Sequence, residues 1–156
     1  MSVNIRIWVE IAHQPAYRAG GWAYVLAEGG ARSGAAGGER SAEAGRIALA
    51  GLAQALAATP AGAVVVVRSA SPAVLAIPKR LAAAETEPPE EDLDLWAPLT
   101  KALAARQVRF APDTAQLRTP SAFAAAWADL ARDKAKTKPF RAIIPKANLD
   151  KVALPA

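Results

Sequence analysis

The chain has no cysteine among its 156 residues, which excludes a disulfide framework and any thiolate-ligated zinc or iron–sulfur centre. It has a single histidine, His13, so a histidine-built metal centre or a hydrolase triad would rest on that one imidazole. No apolar run approaches the roughly 18 residues that a membrane span requires. The opening MSVNIRIWVE lacks the apolar core of a secretory signal. A soluble, cytoplasmic protein with no membrane partner is expected. Aromatic residues make up only 6% of the chain, and much of its apolar content is alanine. The core must therefore be anchored by Trp8, Trp22, Trp96, Trp127, a valine run and scattered leucines.

What is present suits one domain with a real core, since a chain of this length buries roughly 70% of its unfolded surface. The net charge of +5 is unevenly spread. Residues 85–94, ETEPPEEDLD, hold six acids and no base, whereas residues 132–151 hold seven bases against two acids. A basic segment of that kind contacts nucleic acid or another acidic surface through charge alone, or is simply a solvated end.

Along the chain, Val3 to Glu10 alternates apolar and polar residues with period two, which predicts a strand. A loop IAHQPAYRA follows, then a second strand in GWAYVLA and a Gly/Ser-rich hairpin into a short third strand. Ser41 is a candidate N-cap, with Glu43 in the first turn. Leu49, Leu52, Ala53 and Leu56 form one helical face, and Thr59-Pro60-Ala61-Gly62 stops the helix. Val64 to Val67 is a continuous β-branched run, the pattern of a strand covered on both faces. Ser71-Pro72 opens a second helix that Pro78 breaks near Ile77. DLWAPLTKALAAR is a third helix, QVRFA a strand, and Thr119-Pro120 caps a last helix with the stripe Phe123, Trp127, Leu130 and Ala131. From about Thr137 no periodicity is sustained. The expected organisation is a domain over residues 1–136 and a basic, proline-containing tail over 137–156. Hairpin strands followed by right-handed crossovers make an α/β fold, a mixed five-stranded sheet with its first three strands antiparallel and helices on both faces.

The order of elements, with the strings GGWAYVL, RIALAGLAQAL, VVVVRSASPAV, DLDLWAPLTKAL and AWADLAR, resembles the type 1 ribonuclease H family over about residues 3–135. That resemblance implies nucleases that cut the RNA strand of RNA–DNA hybrids, with four carboxylates around two Mg²⁺ ions that activate water and stabilise the leaving oxygen. The family's metal-ligand positions fall at Glu10, Ala48, Ala70 and Ala128 in this chain, so three of four are methyl groups. Glu10 could catch an ion weakly, because Mg²⁺ is often held by one or two carboxylates with substrate phosphates. Ala16 and the Ala44-Gly45 pair replace the family's polar substrate contacts. Glu43 puts a negative charge in its phosphate pocket, and the family's basic handle is here the acidic 85–94 run.

The expectation from these residues is a catalytically silent ribonuclease H-like domain with no cofactor, a module that binds nucleic acid or an unidentified protein. Lys134, Lys136, Lys138, Arg141 and Lys146 are the candidate nucleic-acid contacts. The alternative is a ribonuclease H acting on hybrids with Mg²⁺ or Mn²⁺ at a rearranged site around Glu10. Glu43 and Asp129 are turned roughly 140° and 100° around their helices from Ala48 and Ala128, and Asp113 is the one loop-borne acid placed for such a relocation. His13 has no nucleophile or carboxylate at a readable spacing. Trp8, Tyr17, Trp22 and Tyr24 could stack on bases or pack in the core.

Overall fold

The computed structural model describes residues 3–155. Strands β1 (Asn4–Gln14), β2 (Ala19–Glu28) and β3 (Ala31–Glu39) form an antiparallel meander. The helix α1 (Ala44–Ala57) crosses over to β4 (Val64–Ser69), which lies parallel to β1, and α2 (Pro72–Leu75), α3 (Ile77–Thr86) and α4 (Leu93–Ala104) lead to β5 (Gln107–Pro112), parallel to β4. The chain ends with α5 (Pro120–Ala135), β6 (Phe140–Ile143) and α6 (Lys146–Leu149). The sheet has six strands in the order β5-β4-β1-β2-β3-β6.

The sixth strand corrects the expected five, and it comes from the segment read as a structureless tail. β6 pairs antiparallel with β3, from Ala35↔Ile143 to Gly38↔Phe140. Ile144, Leu149 and Val152 are buried, the first two among Trp8, Val25 and Ala36. These apolar residues are too widely spaced to give a period, which is why the pattern reading missed them. The first strand is also longer than expected: it runs through Ala12 to Gln14, and the loop shrinks to a single 3-10 turn at Pro15–Tyr17.

One sheet face carries Ile5, Ile7, Val9, Val65 and Val67 against α1 and α4; the other carries Trp8, Ala12, Ala23 and Val25 against α5. The last helix turns a different stripe to the sheet from the one its large residues suggested. Ala124, Ala128, Ala131 and Ala135 are fully buried, while Phe123 and Trp127 flank them and Leu130 is exposed. Close approach is the reason. A β-carbon on Gly21 would lie 2.2 Å from the Ala128 carbonyl oxygen, and one on Gly38 2.7 Å from that of Ala131. Only small residues on both partners allow a backbone separation of this kind.

Because α5 packs on β1, β2 and β3, one face of β4 is left half-open. Its burial alternates, with Val65 and Val67 buried and Val64, Val66 and Arg68 only partly so. The valine run is thus covered on one face, not two. The helix starts differ in detail. Glu43, not Ser41, is the N-cap of α1, and Ser41 takes a left-handed φ of 53°. The Thr119 cap of α5 forms as expected, its hydroxyl accepting from the Ala122 N–H. The break at Pro78 also forms, between α2 and α3.

Candidate functional site

Strand alternation sends Glu10 to the α5 face at the centre of the sheet, where it is 1% exposed. A buried carboxylate is costly unless its oxygens are fully paired. Here four donors close on it. The Ser69 hydroxyl donates to Oε1 at 2.9 Å and the Ser71 hydroxyl at 2.7 Å. The Ala70 N–H reaches both oxygens, at 3.1 and 2.8 Å, and the Ser121 hydroxyl donates to Oε2. Ser69 and Ser71 are themselves tied, the Ser71 N–H donating to Ser69 Oγ at 2.9 Å, and Ser71 Oγ accepts from the Ile11 N–H at 3.2 Å. Both Ser71 and Ser121 stand at helix starts, of α2 and α5, where the dipole favours a negative charge. The carboxylate therefore joins β1, the end of β4 and the first turn of α5.

The other acids and the histidine near this end are also engaged. Asp113 Oδ2 accepts from the indole N–H of the buried Trp8 at 3.1 Å, and Oδ1 accepts from the Thr114 N–H at 2.7 Å. His13 donates through Nε2 to the Ala42 carbonyl at 2.8 Å, pinning the approach to α1 onto β1. Asp129 is on the exposed side of α5, paired with Arg132 at 3.4 Å. Among the described residues, no group of three or more His, Asp or Glu side chains is placed to hold a metal ion.

Comparison with solved structures decides what scaffold carries this arrangement. LC9-RNase H1, described as a type 1 RNase H with the type 2 active-site motif, superposes with a TM-score of 0.67 at 10% identity, over 99% of this chain and 88% of that one. The N-terminal RNase H domain of rv2228c from Mycobacterium tuberculosis gives a TM-score of 0.58 at 18% identity, over 87% of this chain and 98% of that one. The chain has the ribonuclease H fold. No protein-family model matches it, and neither does any curated protein.

Within the ribonuclease H fold, the positions marked by the resemblance are not all brought together. Ala70 lies against Glu10 and contributes its backbone N–H. Ala48 is fully buried in the core under α1, among Val9 and Trp22. Ala128 packs its backbone on Gly21 of β2 instead, two turns beyond Ser121, or about 10 Å along the helix. The residue of α5 that meets Glu10 is Ser121, seven positions before Ala128. Ser69 and Ser121 were missed altogether. Their only signal was polarity at positions that the strand period and the helix start turn inward.

Glu43, expected to repel phosphate, is paired with Arg18 at 2.9 Å. Two of the six acids in the 85–94 run are likewise consumed. Arg46 of α1 bonds Asp92 at 3.1 Å, Asp94 at 2.8 Å and Glu39 at 3.0 Å. The bond from Arg46 holds the Asp94 carboxyl below its ordinary range, and Asp94 in turn does most to hold the Arg46 guanidinium well above its own. Burial raises the Tyr24 phenol, with the charge of Arg141 acting the other way.

Three of the five candidate nucleic-acid contacts lie close together in the chain at the C-terminal end of α5. Lys134 is in the last turn of α5, Lys136 is its C-cap and Lys138 follows. There Lys136 Nζ sits 5.1 Å from the ring centre of Tyr17, which is 62% exposed, and Arg40 donates to the Thr137 carbonyl at 3.2 Å. Arg141 instead turns to Gln54 of α1 at 3.2 Å, and Lys146 opens α6 beyond the far end of β6. Of the four aromatics that could stack on bases, Trp8, Trp22 and Tyr24 are buried, the last two with parallel rings 6.3 Å apart. Only Tyr17 is available.

Proposed function

We propose that this protein is a non-hydrolytic ribonuclease H-fold domain that binds nucleic acid. The observation carrying the reading is the closure of Glu10. Its oxygens are fully occupied by Ser69, Ala70, Ser71 and Ser121, so binding an ion there would break the hydrogen bonds that make its burial tolerable. Ala48 and Ala70 offer no further oxygen ligands, so the residues present do not fit a two-metal centre. No catalytic step is assigned through one. A cytoplasmic setting goes with this reading.

The binding surface is the C-terminal end of α5, where Lys136 lies over Tyr17 and pairs with Asp133 at 3.4 Å, Lys134 and Lys138 are exposed, and Arg40 holds the Thr137 carbonyl. Cations beside an exposed ring are what single-stranded nucleic acid requires: charge for the backbone and a face for a base. The test pairs cleavage with binding. A labelled RNA–DNA hybrid should remain intact in Mg²⁺ and in Mn²⁺. Fluorescence anisotropy with a single-stranded oligonucleotide should show weak binding that falls steeply with salt. Replacing Lys134, Lys136 and Lys138 by alanine should reduce the log–log salt slope by about 2. Metal-dependent cutting that disappears in Glu10→Ala would overturn the non-hydrolytic reading. An unchanged salt slope would overturn the surface.

A further inference from the structure

The half-open face of β4 carries a second feature. Arg6 of β1 and Arg68 of β4 point out of this face and, with Arg118 from the loop before α5, line a cleft of about 480 Å³ whose other walls include Pro120 and Leu154. That volume is in the range of small-molecule sites. Arg6 lies 5.4 Å from the Trp8 ring centre and donates to the Pro155 carbonyl. Among the described residues, none of the three guanidiniums has a carboxylate within ion-pair distance. Among the described residues, the acid that lines the cleft is Asp113, whose oxygens are committed to Trp8 and Thr114. Arg118 takes a left-handed φ of 68°, a conformation that a residue with a β-carbon rarely adopts.

Three guanidiniums facing one engaged carboxylate make a strongly cationic wall. Their planar donor pairs match the paired oxygens of a phosphate. The apolar walls opposite give room for an organic body. We propose that this cleft binds a phosphate monoester of nucleotide size, its phosphate held by Arg6, Arg68 and Arg118 and its body against Pro120 and Leu154. The inference does not depend on the nucleic-acid surface proposed above. That surface is at the C-terminal end of α5 and the cleft at its N-terminal end, about 24 Å away along a helix of 16 residues.

Isothermal titration calorimetry tests it, using inorganic phosphate and adenosine monophosphate at ionic strength held constant with chloride. Saturable binding of both is expected, tighter for the nucleotide. Arg68→Ala and Arg118→Ala should each weaken it about tenfold or more, with Arg68→Lys intermediate, because charge survives but the paired donors do not. Arg109→Ala, an exposed arginine of β5 that does not line the cleft, should bind like the wild type. The triple lysine variant should also bind like the wild type, which separates this proposal from the previous one. A short oligonucleotide with and without a 5′-phosphate identifies the source: Arg68-dependent preference for the phosphorylated strand assigns the cleft to strand ends, and none assigns it to free nucleotides. Absence of saturable binding to either phosphate compound overturns the proposal, as does wild-type affinity in folded Arg68→Ala and Arg118→Ala.

Discussion

Replacing Glu10 separates a structural clasp from a metal ligand. In Glu10→Ala, the Ala70 N–H and the hydroxyls of Ser69, Ser71 and Ser121 lose their common acceptor in a buried place. Each hydrogen bond to a charged group contributes about 1.5–3 kcal/mol, and each buried donor left bare costs about 1–3 kcal/mol. The four do not add, since hydroxyls rotate and Ser69 already accepts from the Ser71 N–H. Removing one partner from a buried charged network costs about 3–5 kcal/mol in all, and that is the expected loss. At about 2–4 °C per kcal/mol for a chain of this size, Tm should fall by about 6–20 °C. Glu10→Gln keeps the volume but sets an NH₂ where an oxygen accepted, and should cost about 1–3 kcal/mol. Urea denaturation and thermal melts with and without millimolar Mg²⁺ read the result. A ligand in a cluster of carboxylates behaves in the opposite sense, because without metal its removal relieves repulsion. If Glu10→Ala is as stable as the wild type, or Mg²⁺ raises the melting temperature of the wild type alone, the clasp argument is wrong.

Three further outcomes follow from the packing. Arg46→Ala should cost about 1 kcal/mol at neutral pH, since its partners are partly exposed. The Asp94 carboxyl is held below its ordinary range, so this contribution is present above pH ~4 and fades as the pH falls through the lowered value; urea midpoints of wild type and variant should converge in acid. Gly21→Ala places a β-carbon 2.2 Å from the Ala128 oxygen and 2.4 Å from the Arg132 nitrogen, both backbone atoms that cannot swing away. It should lose about 3 kcal/mol or more by calorimetry. Ile144→Ala, at a residue 1% exposed, should cost about 2–4 kcal/mol, whereas a solvated tail would lose almost nothing.

The sequence carried the elements with a clear period or a strong stop. The alternation of β1, the apolar face of α1, the Ser71-Pro72 start and the Thr119 cap were all legible because each is a local property. What it concealed depends on distance between backbones. The buried stripe of α5 is alanine because Gly21 and Gly38 lie beneath it, and no window of sequence shows that pairing. A reading by residue size naturally chose Phe123 and Trp127, which flank the contact. β6 was hidden for a related reason. Four residues docking on an existing edge need no periodicity of their own, only the open edge of β3.

The same contact explains how one helix serves both ends of the molecule. α5 is held against the sheet by its Ala/Gly seam and fixed along its axis by the bond from Ser121 to Glu10. Sliding it by one residue would shift every alanine about 1.5 Å and turn it by about 100°, putting side chains where only backbone fits. Its first turn therefore sits beside Arg118 and Pro120 at the arginine cleft, and its last turn sets Lys136 over Tyr17. Loss of the Glu10 bond should be felt at both places, because nothing else in the first turn joins α5 to Glu10. Glu10→Gln should then weaken phosphate binding in the cleft and oligonucleotide binding at the lysines together, under conditions where circular dichroism still reports a folded chain. Arg68→Ala should affect only the cleft. If Glu10→Gln alters neither site while lowering stability, the clasp sustains the fold without positioning the helix.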